Sequence, residues 1–262
     1  MKKSNFKYIY GPVSSWRLGA SLGIDALSQK TKQCGFDCIY CQVGRAKPSP
    51  MCRKIFVPTK KIISEIRKLP KNTKIDYLTF SGNGEPTLAK NMGELIEEVK
   101  KIREEPVAVI TNSALLGRKA VRDDLLKADL VMAKLDASSQ ELLKTVNNPN
   151  ESIVFSDLVL NLKKFRRDYK KIFALQIMFV KENCGYADSI ACLAGKIKAD
   201  FIFINTPLRP SGCRPLSAVQ MKKIKKEFLK QGIETISVFD KARKNTLPLS
   251  IEATIKRRGI SK

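Results

Sequence analysis

The chain has 262 residues, enough for one large α/β unit, and 43% of them are hydrophobic, which suits a packed core. It contains no histidine, which removes histidine metal ligands and any Ser–His or Cys–His pair and leaves proton transfer to Asp, Glu, Lys, Tyr, Cys or water. The net charge of +24 attracts polyanions, tRNA or another nucleic acid among them, although lysines spread through Lys60–Lys71, Lys163–Lys171 and Lys222–Lys230 equally suit solvated helix faces.

The basic start of the chain lacks the apolar stretch of a signal peptide, and no run of eighteen apolar residues follows. A cytoplasmic location and no membrane are expected. In chain order, strands are predicted at Ser21–Ala26, Ile75–Ser81, Val107–Asn112, Leu130–Asp136, Phe173–Val180, Phe201–Asn205 and Glu234–Phe239. Helices are predicted between and after them at Thr59–Leu69, Lys90–Arg103, Lys119–Lys127, Ser139–Val146, Ser156–Tyr169, Ala187–Ile197 and Ala218–Gln231. Regular βα alternation argues for a parallel sheet or barrel with its helices outside. Residues 1–240 are expected to form the core, and residues 241–262 a basic, weakly patterned tail that is either mobile or covers one end of the sheet.

Period-two reading of Leu130–Asp136 puts Val131, Ala133 and Leu135 on one face and Leu130, Met132, Lys134 and Asp136 on the other. An apolar outer face under the helices leaves Lys134 and Asp136 inside, near the C-terminal strand end where α/β barrels place their chemistry. They are the candidate catalytic pair; a buried, satisfied ion pair is the alternative. Asn205, ending its strand, is a further candidate for ligand binding.

Seven cysteines occur, and only Cys34, Cys38 and Cys41 are closely spaced. Cys52, Cys184, Cys192 and Cys213 lack ligand spacing and read as small buried hydrophobes. In a reducing compartment the trio reads as metal ligands, not disulfides. Zinc sites favour paired Cys-x2-Cys elements or Cys/His mixtures, neither present here. Three thiolates can hold a 4Fe–4S cluster and leave one iron open.

The pattern Cys34-x3-Cys38-x2-Cys41, with Tyr40 before the last cysteine, resembles that of the radical S-adenosylmethionine (SAM) enzymes. The segment Ser81-Gly-Asn-Gly-Glu-Pro-Thr87, directly after a predicted strand, is similar to that family's Gly-Gly-Glu-Pro turn. The resemblance implies a partial (β/α)6 TIM-like barrel, a 4Fe–4S cluster on Cys34, Cys38 and Cys41, and S-adenosyl-L-methionine on the open iron. It further implies reductive cleavage of SAM to a 5′-deoxyadenosyl radical and an electron donor such as flavodoxin or ferredoxin. Tyr40 would pack near the adenine, Gly82, Asn83, Gly84 and Glu85 would line the amino site, and Asn112 and Ser113 would contact ribose or carboxylate.

Over about the first 210 residues, Tyr10–Asp25, Cys38–Gly44, Phe80–Leu88, Lys134–Asp136 and Asn205–Pro210 look like a subgroup related to wyosine-type tRNA-modifying enzymes. That likeness implies a tRNA or nucleotide substrate. It is incomplete: the wyosine-forming enzymes carry upstream cysteines, whereas no cysteine precedes Cys34, and Trp16 stands where the subgroup has an arginine. Arg17 and Arg209 are candidate anchors for an anionic group, with ion pairing inside the fold as the alternative. A radical-based activator of another protein and a non-catalytic cysteine–metal nucleic-acid-binding protein are the alternatives to the enzyme of tRNA.

Overall fold

Short β-branched and aromatic runs alternating with amphipathic stretches assemble here into one sheet with helices along its outer face. The computed structural model describes residues 6–242 and 245–258. Strand β1 (Ile9–Ser15) pairs antiparallel with β2 (Gly19–Ile24). From β2 the sheet continues in parallel, in chain order, through β3 (Tyr77–Phe80), β4 (Val107–Thr111), β5 (Leu130–Lys134), β6 (Ile172–Met178), β7 (Phe201–Asn205) and β8 (Thr235–Ser237). The crossovers carry α1 (Thr59–Arg67), α2 (Met92–Ile102), α3 (Lys119–Leu125), α4 (Gln140–Asn147) with α5 (Phe155–Asp168), α6 (Ala187–Ile197) and α7 (Ala218–Leu229), and α8 (Ile251–Arg258) follows β8. The parallel strands and their helices form the expected partial (β/α)6 barrel, curled but open.

The sheet's two faces differ as its side-chain alternation demands. Outward, Leu22, Leu78, Phe80, Val109, Val131, Leu175 and Ile204 are buried under helix residues such as Ile62, Leu95, Leu162 and Phe165. Each such side chain contributes about 1.5–3 kcal/mol on burial. Inward, a second cluster of Ala108, Leu130, Met132, Ala174, Phe203 and Ile236 fills the barrel floor together with Trp16 and Leu18. Trp16 meets the edge of Phe203 with ring centroids 5.6 Å apart, so the β1–β2 turn reaches across the barrel interior to β7. Above this floor the inner face turns polar, with Ser21 and Thr79 hydroxyls 2.8 Å apart and Asn112, Lys134 and Gln176 nearer the strand ends.

Local signals set the helix ends. α7 begins with a capping box in which the Ser217 hydroxyl accepts from the Gln220 N–H and Gln220 accepts from the Ser217 N–H. α4 begins on the Ser139 hydroxyl, which accepts from the Leu142 N–H, and ends where Asn148 turns left-handed, φ +39°, before Pro149. That stop decides where Asn147 points.

Three features depart from the expectations. β1 was not expected, because Gly11 and Pro12 interrupt its apolar pattern; the strand tolerates them by a register shift between Tyr10 and Val13. α8 lies in the stretch read as weakly patterned, and it packs against β1, with Thr254 accepting from the Gly11 N–H (3.2 Å). Cys52 and Cys192 are exposed and not buried, since they sit in a surface loop and on the solvent side of α6. Among the described residues, no helix is long and apolar enough to cross a membrane.

Candidate functional site

The loop after β2 carries Cys34, Cys38 and Cys41, and the surrounding backbone fixes it on two sides. The N–H groups of Asp37 and Ile39 donate to the carbonyls of Asn147 (3.0 Å) and Val146 (3.0 Å), the terminal carbonyls of α4 that lack intrahelical partners. On the other side, Glu85 N–H donates to the Gln33 carbonyl (2.8 Å) and Gln33 N–H to the Asn83 carbonyl (3.2 Å). Within the loop, Asp37 accepts from Ala46 N–H (2.9 Å), Arg45 (2.7 Å) and Lys32 (3.2 Å). Burial alone would raise the Asp37 pKa, but these donors outweigh it and hold the carboxyl below its ordinary range.

All three cysteines line one cleft of about 270 Å³ at the C-terminal ends of the strands. Side-chain amides reach two of the sulfurs: Asn112 Nδ2 donates to Cys34 Sγ (3.5 Å) and Asn147 Nδ2 to Cys38 Sγ (3.3 Å). Burial, and next the neighbouring Cys38, pushes the Cys34 thiol up to about 12; burial likewise raises Cys38. Thiols in such surroundings ionise when a bound cation offsets the desolvation. Among the described residues, no three His, Cys, Asp or Glu side chains converge on a single-ion position.

Facing the loop, the turn after β3 brings Gly82 and Gly84 into the cleft wall, with φ of +149° and +147°. These values favour glycine, and they let the turn's backbone lie directly against Gln33, the residue before the first cysteine. Glu85 is buried, and hydrogen bonds hold both of its carboxyl oxygens. Its Oε1 accepts from Thr87 N–H (3.1 Å), Thr87 Oγ1 (2.6 Å) and Thr111 Oγ1 (2.7 Å), and its Oε2 from Asn112 N–H (2.6 Å). Burial raises its pKa, and these hydrogen bonds oppose the rise. Glu85 thus ties the glycine turn to the end of β4. Just beyond, Ser113 holds φ +73°, a strained value for a non-glycine residue, and its hydroxyl donates to the Lys134 carbonyl (3.1 Å).

On the third wall, Lys134 and Asp136 meet through Tyr40. The Tyr40 hydroxyl donates to Asp136 Oδ2 by a short hydrogen bond and accepts from Lys134 Nζ (2.7 Å). Asn147 Nδ2 donates to both Tyr40 (3.0 Å) and Asp136 (2.8 Å), and Met178 N–H donates to Asp136 Oδ1 (2.7 Å). Burial and the adjacent Asp136 raise the Tyr40 pKa well above its ordinary value. Asp136 is sealed behind the tyrosine, while the Lys134 ammonium, 3.4 Å from Asp136, faces the cleft.

Of the residues predicted from sequence, Cys34, Cys38, Cys41, Tyr40, Gly82, Gly84, Glu85, Asn112 and Lys134 all line this cleft. Asn83 does not; its side chain donates to the Gln29 carbonyl (2.7 Å). Ser113 and Asp136 stand behind the wall, and Asn205 lines an adjoining smaller cavity. Sequence reading missed Asn147, which joins Cys38, Tyr40 and Asp136, and it missed the Asp25–Arg257 pair. Arg257 on α8 lines the cleft and donates to Asp25 at 2.9 Å, with both side chains 3% exposed.

Comparison with known proteins fits this geometry. The family model for the radical SAM superfamily matches residues 28–183. GTPase Obg of Brachyspira hyodysenteriae is 38% identical over 97% of this chain, which spans 38% of that protein's length. The UPF0026 protein slr1464 of Synechocystis is 35% identical, with 79% of this chain and 78% of that protein covered. In fold, the chain is similar to Streptococcus suis SuiB bound to S-adenosylmethionine, with a TM-score of 0.62 and 13% sequence identity; 84% of this chain and 47% of SuiB are covered.

Proposed function

The chain belongs to the radical SAM superfamily and groups with the UPF0026 proteins, and from that premise we propose that it is an enzyme holding one 4Fe–4S cluster on Cys34, Cys38 and Cys41 and cleaving S-adenosylmethionine. The observation that carries this reading is the single cleft lined by all three thiols and by the Gly82–Glu85 turn, whose backbone is bonded to the residue before Cys34. The residues fit the group: three thiols as the metal-facing donors, amide N–H groups of Asn112 and Asn147 aimed at two of the sulfurs, and burial that makes ionisation depend on a bound cation. When bound, such a cluster supplies the electron that splits the SAM carbon–sulfur bond.

The chain's own residues supply position and exclusion. The turn at Gly82 and Gly84 offers close backbone approach to the methionyl group of SAM. Tyr40, pinned by Asp136 and Asn147, forms a fixed wall for the nucleoside. Lys134, anchored by the Tyr40 hydroxyl, presents a cation to a carboxylate of SAM or to the substrate. Residues 1–240 serve as the catalytic core, and the basic segment 241–262 contributes a wall through α8. A reduced flavodoxin or ferredoxin is the electron donor that this chemistry calls for. For the substrate, the likeness to wyosine-type enzymes and the net charge of +24 support a nucleotide or tRNA.

Anaerobic reconstitution tests the proposal. The expected result is four iron and four sulfide per chain (about, given incomplete loading) and formation of 5′-deoxyadenosine with a reductant. Stoichiometric zinc with no iron uptake and no 5′-deoxyadenosine would sink it. For the tRNA reading, an unchanged nucleoside profile in a deletion strain counts against it.

A further inference from the structure

Asn147 grips the cysteine loop with both its backbone and its side chain. Its carbonyl, one of the last of α4, accepts from the Asp37 N–H (3.0 Å), and its Nδ2 donates to Sγ of the next residue, Cys38 (3.3 Å). The same nitrogen lies 2.8 Å from Asp136 Oδ2 and 3.0 Å from the Tyr40 hydroxyl. Asn147 is 1% exposed, so solvent has almost no access to these groups.

Two features fix how this amide is used. The Asp136 carboxylate decides which end of it faces inward: the nitrogen turns to the acceptor, and Asn147 Oδ1 is left buried without a hydrogen-bond partner among the described residues. A buried unsatisfied acceptor costs about 1–3 kcal/mol, and that cost keeps the donors on the cysteine side. The amide also has only two hydrogens for three acceptors. One goes to Asp136, the nearest of the three. The other is divided between Cys38 and Tyr40 while Cys38 is a thiol. A thiolate accepts more strongly, so ionisation of Cys38 on a bound metal draws that hydrogen to sulfur. Asn112 makes a longer contact, 3.5 Å, to Cys34, and its amide oxygen is held by the Ala114 N–H (3.0 Å).

We propose that Asn147 is a positioning residue that raises the reduction potential of the cluster on Cys34, Cys38 and Cys41 through its N–H to Cys38, with Asp136 holding the amide in place. This rests on the reading of the cleft as a cluster site. A hydrogen bond to cysteine sulfur stabilises the negative charge that an added electron brings, and so favours the reduced form. The charge of Asp136 acts the other way, and the Lys134 ammonium 3.4 Å from it offsets that effect.

The test compares full-length chains reconstituted anaerobically with iron and sulfide. Asn147→Leu keeps the size and loses the donor. Asn147→Asp keeps the shape, and whether ionised or sharing a proton with Asp136 it offers none to Cys38. Asn91→Leu is the control: Asn91 is likewise buried, donates to the Val57 carbonyl (3.1 Å) and to Thr59 Oγ1 (2.9 Å), and is not among the cleft residues. Iron and sulfide per chain, Tm, and the midpoint of a dye-mediated reductive titration followed by electron paramagnetic resonance are measured on each, without SAM. At the potential that half-reduces the wild type, the ratio of reduced to oxidised cluster is expected to fall about three- to tenfold in both Asn147 variants. In Asn91→Leu the ratio should stay the same while Tm falls.

A wild-type midpoint in a loaded Asn147 variant, or an equal shift in Asn91→Leu, overturns the proposal. So does failure of both Asn147 variants to take up iron where Asn91→Leu loads, since Asn147 then serves only to assemble the loop. A wild-type chain that takes up no iron refutes the proposed function and this role with it. A chain that loads iron and shows the shift but does not cleave SAM refutes the function alone, because the midpoint is read in the absence of SAM.

Discussion

Replacing Gly84 by alanine should empty the metal site while leaving the barrel folded. An added Cβ would lie 2.7 Å from the Gln33 carbonyl carbon, with the oxygen closer still, and 2.9 Å from Leu27 Cδ1. Ordinary contacts begin at 3.4 Å, so the Gln33 backbone would have to retreat by at least 0.7 Å (3.4 − 2.7). Holding an alanine at φ +147° adds strain of about 1–3 kcal/mol. The cheaper relief is for the segment at Gln33 and Cys34 to swing away. That forfeits the bonds from Glu85 N–H to Gln33 and from Gln33 N–H to Asn83, about 1 kcal/mol each. A loss of about 2 kcal/mol lowers Tm by roughly 4–8 °C in a chain of this size. Iron retention should fall much further, because Cys34 moves with the segment. The assay is iron per chain after anaerobic reconstitution and desalting, alongside Tm. Gly185→Ala is the control, since its Cβ would meet nothing within 4 Å. Full iron retention in Gly84→Ala, or equal loss in Gly185→Ala, would refute the reasoning.

Three further outcomes are expected. Arg257→Gln leaves Asp25 charged and buried and should cost about 3–5 kcal/mol in urea denaturation, whereas the double variant Asp25→Asn with Arg257→Gln, which removes both charges, should cost less than the single one. Tyr40→Phe keeps the ring but strips a partner from Asp136, Lys134 and Asn147; with about 1–3 kcal/mol at stake, Tm should fall by roughly 2–12 °C, and an unchanged Tm would show that the network is not closed through the hydroxyl. Burial raises the Glu85 pKa above its ordinary 4.5, so its contribution to stability is full below pH 4.5 and is lost as pH rises through the folded value. Glu85→Gln is fixed in the neutral form, so wild-type stability should decline relative to it over that rise; the pH slope is the readout, since the Gln amide facing Asn112 N–H shifts the level at every pH.

The barrel was legible because its strands and helices repeat two clear periods. Alternation along Leu130–Asp136 correctly assigned Val131, Ala133 and Leu135 to the outer core and Lys134 to the inner face. β1 was not legible, since a strand holding Gly11 and Pro12 reads as a turn until a neighbouring strand supplies its pairing. α8 was not legible either. It is short and strongly basic, and what stabilises it is a partner on β1 and the ion pair to Asp25, neither of which leaves a periodic trace nearby.

The same division runs through the cleft. Groups whose identity is set by local chemistry, the three cysteines and the glycine turn, announce themselves by spacing. Groups that position them do so across long stretches of chain: Asn147 reaches Cys38 over 109 residues, and Arg257 reaches Asp25 over 232. An asparagine next to a proline signals only the end of a helix, and here that end is the device, because stopping α4 at Asn148 presents both its carbonyls and the Asn147 amide to the cysteine loop. The arginines follow suit. Arg17 and Arg209 could be named one at a time, as anion anchors or as ion-pairing residues, but that they line one wall together with Arg258 depends on β1 and α8, neither of which was predicted as an element. The motifs that mark the cleft are therefore short and local, whereas the residues that hold them in place depend on tertiary contacts between distant stretches of the chain.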